Sequence, residues 1–214
     1  MEKLVFIFEI IGTVSFAVSG ALTAIKKDMD IFGVVILGLT TAVGGGIIRD
    51  LVLGITPPKT FQDPIYAIIA IITSIAVFIL IFKRRLEFKG HVYDHIMLIM
   101  DTIGLATFTV IGMNVAYGQH TEYSSFLLVF VGVITGVGGG VMRDLFAGDK
   151  PYIFVKHIYA CASIIGAIAC EVLSAVFTQT VGMVGGIIVI MMIRFLSAYF
   201  RWNLPRINYR AGKV

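Results

Sequence analysis

Gly44-Gly45-Gly46-Ile47-Ile48-Arg49-Asp50-Leu51-Val52-Leu53-Gly54 returns 94 positions later as Gly138-Gly139-Gly140-Val141-Met142-Arg143-Asp144-Leu145-Phe146-Ala147-Gly148. The shared pattern is GGGxxRDLxxG, and each copy sits in a long apolar stretch. The likeness spreads outward in both directions. Downstream, Pro57 answers Pro151, and Ile65-Tyr66-Ala67 answers Ile158-Tyr159-Ala160. Upstream, Glu9 and Gly12 answer Asp101 and Gly104, while Phe16 and Gly20 answer Phe108 and Gly112. The chain is two related halves followed by a remainder.

Composition says where the halves reside. The 214 residues are 58% hydrophobic and 14% charged, with a mean hydropathy of +0.95. A soluble domain carries roughly 25% charged and 45–50% apolar residues, so soluble globular, disordered and collagen-like classes are excluded. A helix needs about 20 apolar residues to cross a bilayer. Seven stretches qualify, at about 4–25, 31–53, 64–82, 95–116, 124–147, 154–177 and 181–200. The first is too long for a cleaved signal peptide and carries Glu9. The expected fold is an all-α membrane protein of seven helices. It forms one transmembrane domain over 1–200, with a basic tail at 201–214. Cys161 and Cys170 would lie roughly 13 Å apart along a helix, too far for a disulfide.

The cations give an orientation. Of 17 Lys and Arg, twelve fall on alternate connections: Lys26, Lys27, Lys83, Arg84, Arg85, Lys89, Lys150, Lys156, Arg201, Arg206, Arg210 and Lys213. The other side has Lys3 and Lys59 only. By the positive-inside rule the C-terminus is cytoplasmic and the N-terminus outside. The net charge of +4 therefore belongs to a cytoplasmic rim in contact with anionic lipid, and a nucleic-acid partner is not expected.

Repeat 1 spans about 4–83 and repeat 2 about 95–177, with three spans each; the span at 181–200 is extra. An odd number of spans forces the two copies into opposite orientations, the inverted-repeat plan whose site lies between the repeats. Three consecutive glycines inside a span cost roughly 1 kcal/mol each against alanine. A kink or break is expected at Gly44, Gly45 and Gly46 and at Gly138, Gly139 and Gly140. Freed backbone groups are tolerated there only if they line a wet cavity or are buried in protein. Tight helix packing is the other reading, and Gly132, Gly136 and Gly140 form a small-residue stripe that suits it.

Arg49 and Arg143 are costly within a span and are functional candidates by position. Adjacent residues do not face each other on a helix, so each arginine is expected to pair elsewhere than with Asp50 or Asp144. Matching depths suggest two pairs, Glu9 with Arg49 and Asp101 with Arg143, one toward each mouth. Asp50 and Asp144 would supply negative potential or hold the loops at Pro57 and Pro151, with Lys150 a possible partner for Asp144. Serine and threonine concentrated in spans 1, 2, 4 and 5 suggest a polar seam, though such residues often bond back to their own helix. Arg194 is expected to snorkel to the cytoplasmic rim, and Glu171 has no evident partner. His91, His95, His120 and His157 lack ligand spacing and read as rim residues. Phe16 and Phe108, related by the repeat, are candidates for an apolar constriction. GGGxxRD is no P-loop, since no Lys-Ser/Thr follows and no strand precedes it. Neither a nucleophile–base constellation nor a metal motif is present, so no enzyme activity, cofactor or metal is expected.

Seven spans, a three-plus-three inverted repeat and the doubled GGGxxRD motif together resemble the prokaryotic members of the trimeric intracellular cation channel (TRIC) family, also labelled glycine-transporter-like. The resemblance covers about residues 4–200. It implies a homotrimer with a pore in each protomer, helices 2 and 5 kinked at the triplets, and a path for K⁺ and some Na⁺ between the repeats. It also implies a prokaryotic inner membrane. The motif residues that carry over are the two glycine triplets, Arg49, Asp50, Arg143 and Asp144. Animal members bind a phosphoinositide near the glycine bends, a property not carried over to a bacterial-type sequence. Two arginines beside a cation path would oppose conduction unless Glu9 and Asp101 neutralise them. The alternative is a secondary transporter of a small zwitterion such as glycine, because inverted repeats and broken helices suit alternating access equally well. No TVGYG-type filter is present, so selectivity should be modest.

Overall fold

The computed structural model describes residues 1–84, 90–119, 123–155 and 158–202. Several residues invoked above fall outside these: Arg85, Lys89, His120, Lys156, His157 and the tail from residue 203.

The described residues form helices α1 (Glu2–Lys26), α2 (Ile31–Val52), α3 (Lys59–Gln62), α4 (Ile65–Arg84), α5 (Gly90–Tyr117), α6 (Ser125–Phe146), α7 (Tyr152–Val155), α8 (Tyr159–Val176) and α9 (Gln179–Tyr199). Seven of these, all but the single-turn α3 and α7, are long and apolar enough to cross a membrane. Polar caps mark several starts. Asp30 accepts from the Gly33 amide at 2.8 Å, and Ser124 from the Leu127 amide at 3.3 Å, satisfying amides that have no partner inside the helix.

The ends of α2 and α6 explain the last glycine of the motif. Gly54 and Gly148 both have φ of +72°, a left-handed conformation that costs glycine little. At the first, the Ile55 amide donates to the Asp50 carbonyl at 2.8 Å and the Gly54 amide to the Leu51 carbonyl at 3.2 Å. The second repeats this, with Asp149 donating to Asp144 at 2.8 Å and Gly148 to Leu145 at 3.1 Å. Both helices thus close in a Schellman motif.

Helices α1, α2 and α4 pack on one another, and so do α5, α6 and α8. The two groups meet through α1 against α5 and α2 against α6, while α9 lies on α8 and α5. Polar ties show which ends are shared. Lys27, after α1, pairs with Asp149, after α6, at 2.6 Å. Glu171, near the end of α8, accepts from Tyr117 at the end of α5 and from Ser125 at the start of α6. Glu171 therefore has partners that the sequence did not suggest. The C-termini of α2 and α6 accordingly lie at opposite ends of the bundle, with Arg49 toward one and Arg143 toward the other. For brevity these are the Glu9 end and the Asp101 end.

The glycine triplets are where α2 and α6 cross. Both helices run through their triplets without interruption, so the expected break does not occur. What the glycines supply is proximity. A Cβ at Gly45 would overlap the Thr135 carbonyl, and one at Gly139 would overlap the Thr41 carbonyl; one at Gly138 would lie 3.0 Å from the Gly45 Cα. Lipid offers little hydrophobic drive for helix association, so such backbone contact is a principal source of stability in a membrane. The hydroxyls are consumed locally as well. Thr41, Thr107, Thr109 and Thr135 each donate to the carbonyl four residues back, at 2.6–2.7 Å. The expected polar seam is therefore largely satisfied within each helix.

Gly45→Ala should lower stability by about 1–3 kcal/mol through overpacking against a backbone atom. Gly46→Ala, whose added Cβ would have only the Arg49 Nη2 nearby, at 3.7 Å, should leave stability unchanged. Thermal unfolding of the two detergent-solubilised variants checks both expectations.

Candidate functional site

At the Asp101 end, the charges form a closed cluster. Arg143 on α6 is fully buried. Its Nη1 donates to Asp101 Oδ1 on α5 at 2.7 Å and to the Ser19 hydroxyl on α1. Its Nε donates to Asp144 Oδ1 at 2.8 Å. The expected Asp101–Arg143 pair is present. Arg194 on α9 joins it, with Nη2 3.5 Å from Asp101 Oδ2 and the guanidinium 4.7 Å over the Tyr159 ring. The Tyr159 hydroxyl donates to Asp101 Oδ1 at 3.3 Å. Two arginines and two aspartates balance, which is how ion pairs offset desolvation in a dry interior.

Arg194 therefore does not snorkel; it is 3% exposed. Distance from a span end had suggested the rim. A better signal was available in its helical phase, since Gly182, Gly186, Ile190 and Arg194 recur every four residues and are all buried. A stripe that begins with two glycines faces protein, and Arg194 continues it.

At the Glu9 end the second expected pair does not form. No ion pair within 4.0 Å joins Arg49 to Glu9. Glu9 accepts from the Tyr66 hydroxyl instead. Arg49 binds its own neighbour, with Nε and Nη2 both 2.8 Å from Asp50 Oδ1. Adjacent residues point apart at Cβ, but the arginine side chain is long enough to fold back. In both halves the second aspartate oxygen reaches the next short helix. Asp50 Oδ2 accepts from the Lys59 amide at 2.8 Å, and Asp144 Oδ2 from the Tyr152 amide at 2.7 Å. Of the roles weighed for these aspartates, holding the loops is the one the structure displays. Asp144 takes Arg143 and Tyr152 in place of Lys150.

A cavity of about 340 Å³ opens at this end. Glu9, Arg49, Lys59, Asp63 and Tyr66 line it, and Thr13, Ala42, Gly46, Phe108 and Ile111 extend it inward. Phe108 meets Phe16 with ring centroids 5.3 Å apart. Phe16 is 1% exposed and wedged between Gly104 and Gly139, where an added Cβ on either would strike its ring. The order from the Glu9 end is therefore cavity, aromatic pair, then the Asp101 cluster. No group of three or more metal-ligating side chains occurs among the described residues.

The architecture defines a class: a seven-helix membrane protein built on two related three-helix units with charged residues along their junction. A family model described as "Glycine transporter" matches residues 6–81 and 98–175, one copy on each half. The UPF0126 inner membrane protein YadS of Escherichia coli K12 is 40% identical, covering 94% of each chain. The UPF0126 membrane protein YvgT of Bacillus subtilis is 33% identical, covering 95% of this chain and 96% of the other. Among solved structures, one described as "Crystal structure of a prokaryotic TRIC channel in 0.5 M KCl" aligns with a TM-score of 0.86 at 31% identity, over 95% of this chain and all of that one. The TRIC orthologue from Rhodobacter sphaeroides aligns at 0.83 with 32% identity, over 94% and 100%. The chain belongs to the prokaryotic TRIC family.

Asp101→Ala should destabilise by about 3–5 kcal/mol, because it strands two buried arginines. Glu9→Gln, at a half-buried site that keeps the Tyr66 hydrogen bond, should cost about 1 kcal/mol or less. Reversible unfolding in mixed micelles would show both; equal effects would contradict the contrast between the two ends.

Proposed function

We propose that the chain is a K⁺-permeable, weakly selective monovalent-cation channel of a prokaryotic inner membrane, working as a homotrimer with one pore in each protomer. The observation that carries this is the sequence of features along the junction of the two three-helix groups: a charged cavity, an aromatic pair and an ionic cluster. The likeness to solved TRIC cation channels supports it. The halves 4–83 and 95–177 act as inverted repeats, with the Glu9 end outside and the C-terminus cytoplasmic, in keeping with the cation bias of the loops.

In this reading Glu9 and Asp63 draw cations into the cavity and offset Arg49 and Lys59. Phe16 and Phe108 form the constriction. Asp101 and Asp144 neutralise Arg143 and Arg194, so the far mouth carries no net positive barrier. The arrangement is that of a closed pore. Opening requires the aromatic pair to part and Arg143 to release Ser19, about the crossing formed by Gly44, Gly45 and Gly46 with Gly138, Gly139 and Gly140. Asp50 and Asp144 keep the flanking short helices in place during that change.

Reconstitution into planar bilayers should give discrete unitary K⁺ currents. Silence accompanied by saturable, gradient-coupled glycine uptake would instead establish the transporter. Phe108→Ala should raise open probability or unitary conductance several-fold; unchanged currents would remove the aromatic pair from the path.

A further inference from the structure

Each short helix turns a phenylalanine away from the interior. In α3, Lys59, Thr60 and Gln62 line the cavity at the Glu9 end, and the remaining residue, Phe61, is 68% exposed. In α7, the Tyr152 ring lies 4.9 Å from the Arg143 guanidinium and packs against Leu22, Tyr93 and Met97. Ile153 packs against the cluster of Leu105, Tyr159 and Ile190, while Phe154 is 75% exposed. Both phenylalanines are the third residue of their helix. A single exposed apolar side chain needs no explanation, but this one recurs at the same place in both halves of the chain.

The flanking spans fix what surrounds these rings. Helix α2 ends at Val52 and α4 begins at Ile65; α6 ends at Phe146 and α8 begins at Tyr159. Each short helix therefore sits where the chain has just left the hydrocarbon and is about to re-enter it, at the headgroup boundary. The C-termini of α2 and α6 lie at opposite ends of the bundle, so the two boundaries belong to opposite leaflets. Leu51 and Val52 before α3, and Leu145 and Phe146 before α7, are exposed too and carry an apolar surface up to each boundary. Aromatic rings at this level anchor a segment to the bilayer.

Both helices are also tied to an arginine. The Lys59 amide donates to Asp50 Oδ2 at 2.8 Å, and Asp50 Oδ1 holds Arg49. The Tyr152 amide donates to Asp144 Oδ2 at 2.7 Å, and Asp144 Oδ1 holds Arg143. One carboxylate thus joins each short helix to a buried arginine, with one oxygen for each.

We propose that Phe61 and Phe154 seat α3 and α7 in the phospholipid headgroup boundary, one in each leaflet, and that bilayer thickness thereby bears on Arg49 and Arg143 through Asp50 and Asp144. A change in hydrocarbon thickness alters the distance between the two boundaries, and each phenylalanine follows its own. The displacement reaches the arginine through one turn of helix and one carboxylate. The docking stands independently of the channel reading, whereas the coupling to current rests on it.

Depth-dependent fluorescence quenching tests the docking. Trp202 is the sole tryptophan, so Phe61→Trp and Phe154→Trp are each placed in the full chain carrying Trp202→Phe. The probes are phosphatidylcholine vesicles brominated either near the headgroup or near the chain ends. Both variants should be quenched about twofold or more strongly by the shallow bromines, as befits a ring at the interface. Quenching by neither lipid would overturn the proposal, whether the ring faces water or is covered by a second copy of the chain. Stronger quenching by the deep bromines would overturn it too, since the ring would then lie in the hydrocarbon core.

K⁺ flux in vesicles of short-chain and long-chain phosphatidylcholine tests the coupling. Wild-type flux should change several-fold across the series. The double variant Phe61→Ser, Phe154→Ser should flatten that dependence, and Phe61→Trp with Phe154→Trp should restore it. A merely structural role would lower flux in every lipid alike. Wild-type flux that ignores thickness, or a serine variant that keeps the full dependence, would overturn the coupling. Absence of flux in every lipid would reject the channel reading and the coupling with it, and the quenching result would still decide the docking.

Discussion

Backbone contact between α2 and α6 sets the geometry on which the other features depend. With no side chains at Gly45 and Gly139, each helix presses against a threonine carbonyl of the other. Four residues further along each helix sits an arginine, so one crossing point sets the depth of both Arg49 and Arg143. The aspartate that follows folds the arginine back and reaches over to anchor the next short helix. The closing glycine then ends the helix in a left-handed residue. A string of eleven residues thus specifies a contact, a charge, an anchor and a stop, and it does so twice.

On this shared frame the two ends diverge electrostatically. Around Arg143 the protein provides two carboxylates, a serine hydroxyl and a neighbouring tyrosine, and with Arg194 the charges balance. Around Arg49 it provides Asp50 alone among the described residues, and the balance is completed across an open cavity. In a low dielectric, unpaired charge is expensive, so the buried half is the one that gathers counter-charges, although Asp101 Oδ2 and Arg143 Nη2 are left without a hydrogen bond. The half that admits water can keep its charges apart. Asymmetry in polar partners is therefore what distinguishes the buried end from the open one.

Much of this was legible in the sequence. The spans, the repeat and the Asp101–Arg143 pair follow from period, depth and internal likeness, whereas the reach of Asp50 and Asp144 toward the proline loops is one of several roles the sequence leaves open. Four features were not. Helical-wheel reasoning fixes Cβ directions and is silent about a long side chain that doubles back, which hid the Arg49–Asp50 and Arg143–Asp144 bonds. Counting residues from a span end gives depth but not face, which misplaced Arg194. Glycine runs are compatible both with a broken helix and with an intact one in close contact, and only the partner's position separates the two. In place of the Glu9–Arg49 pair, Glu9 accepts from Tyr66, a residue distant in sequence.

The seventh helix lies outside the repeat yet completes its most buried charge cluster. Since chains are made from the N-terminus, Asp101 and Arg143 enter the membrane before Arg194 exists. Until α9 arrives, Asp101 lacks its second arginine, and α8 lacks the helix it packs against most extensively. The protein is thus assembled with its last span as a keystone: the interior reaches electrical neutrality only when the final helix is delivered. A nascent chain halted before Gln179 would carry an unbalanced acidic charge in the bilayer.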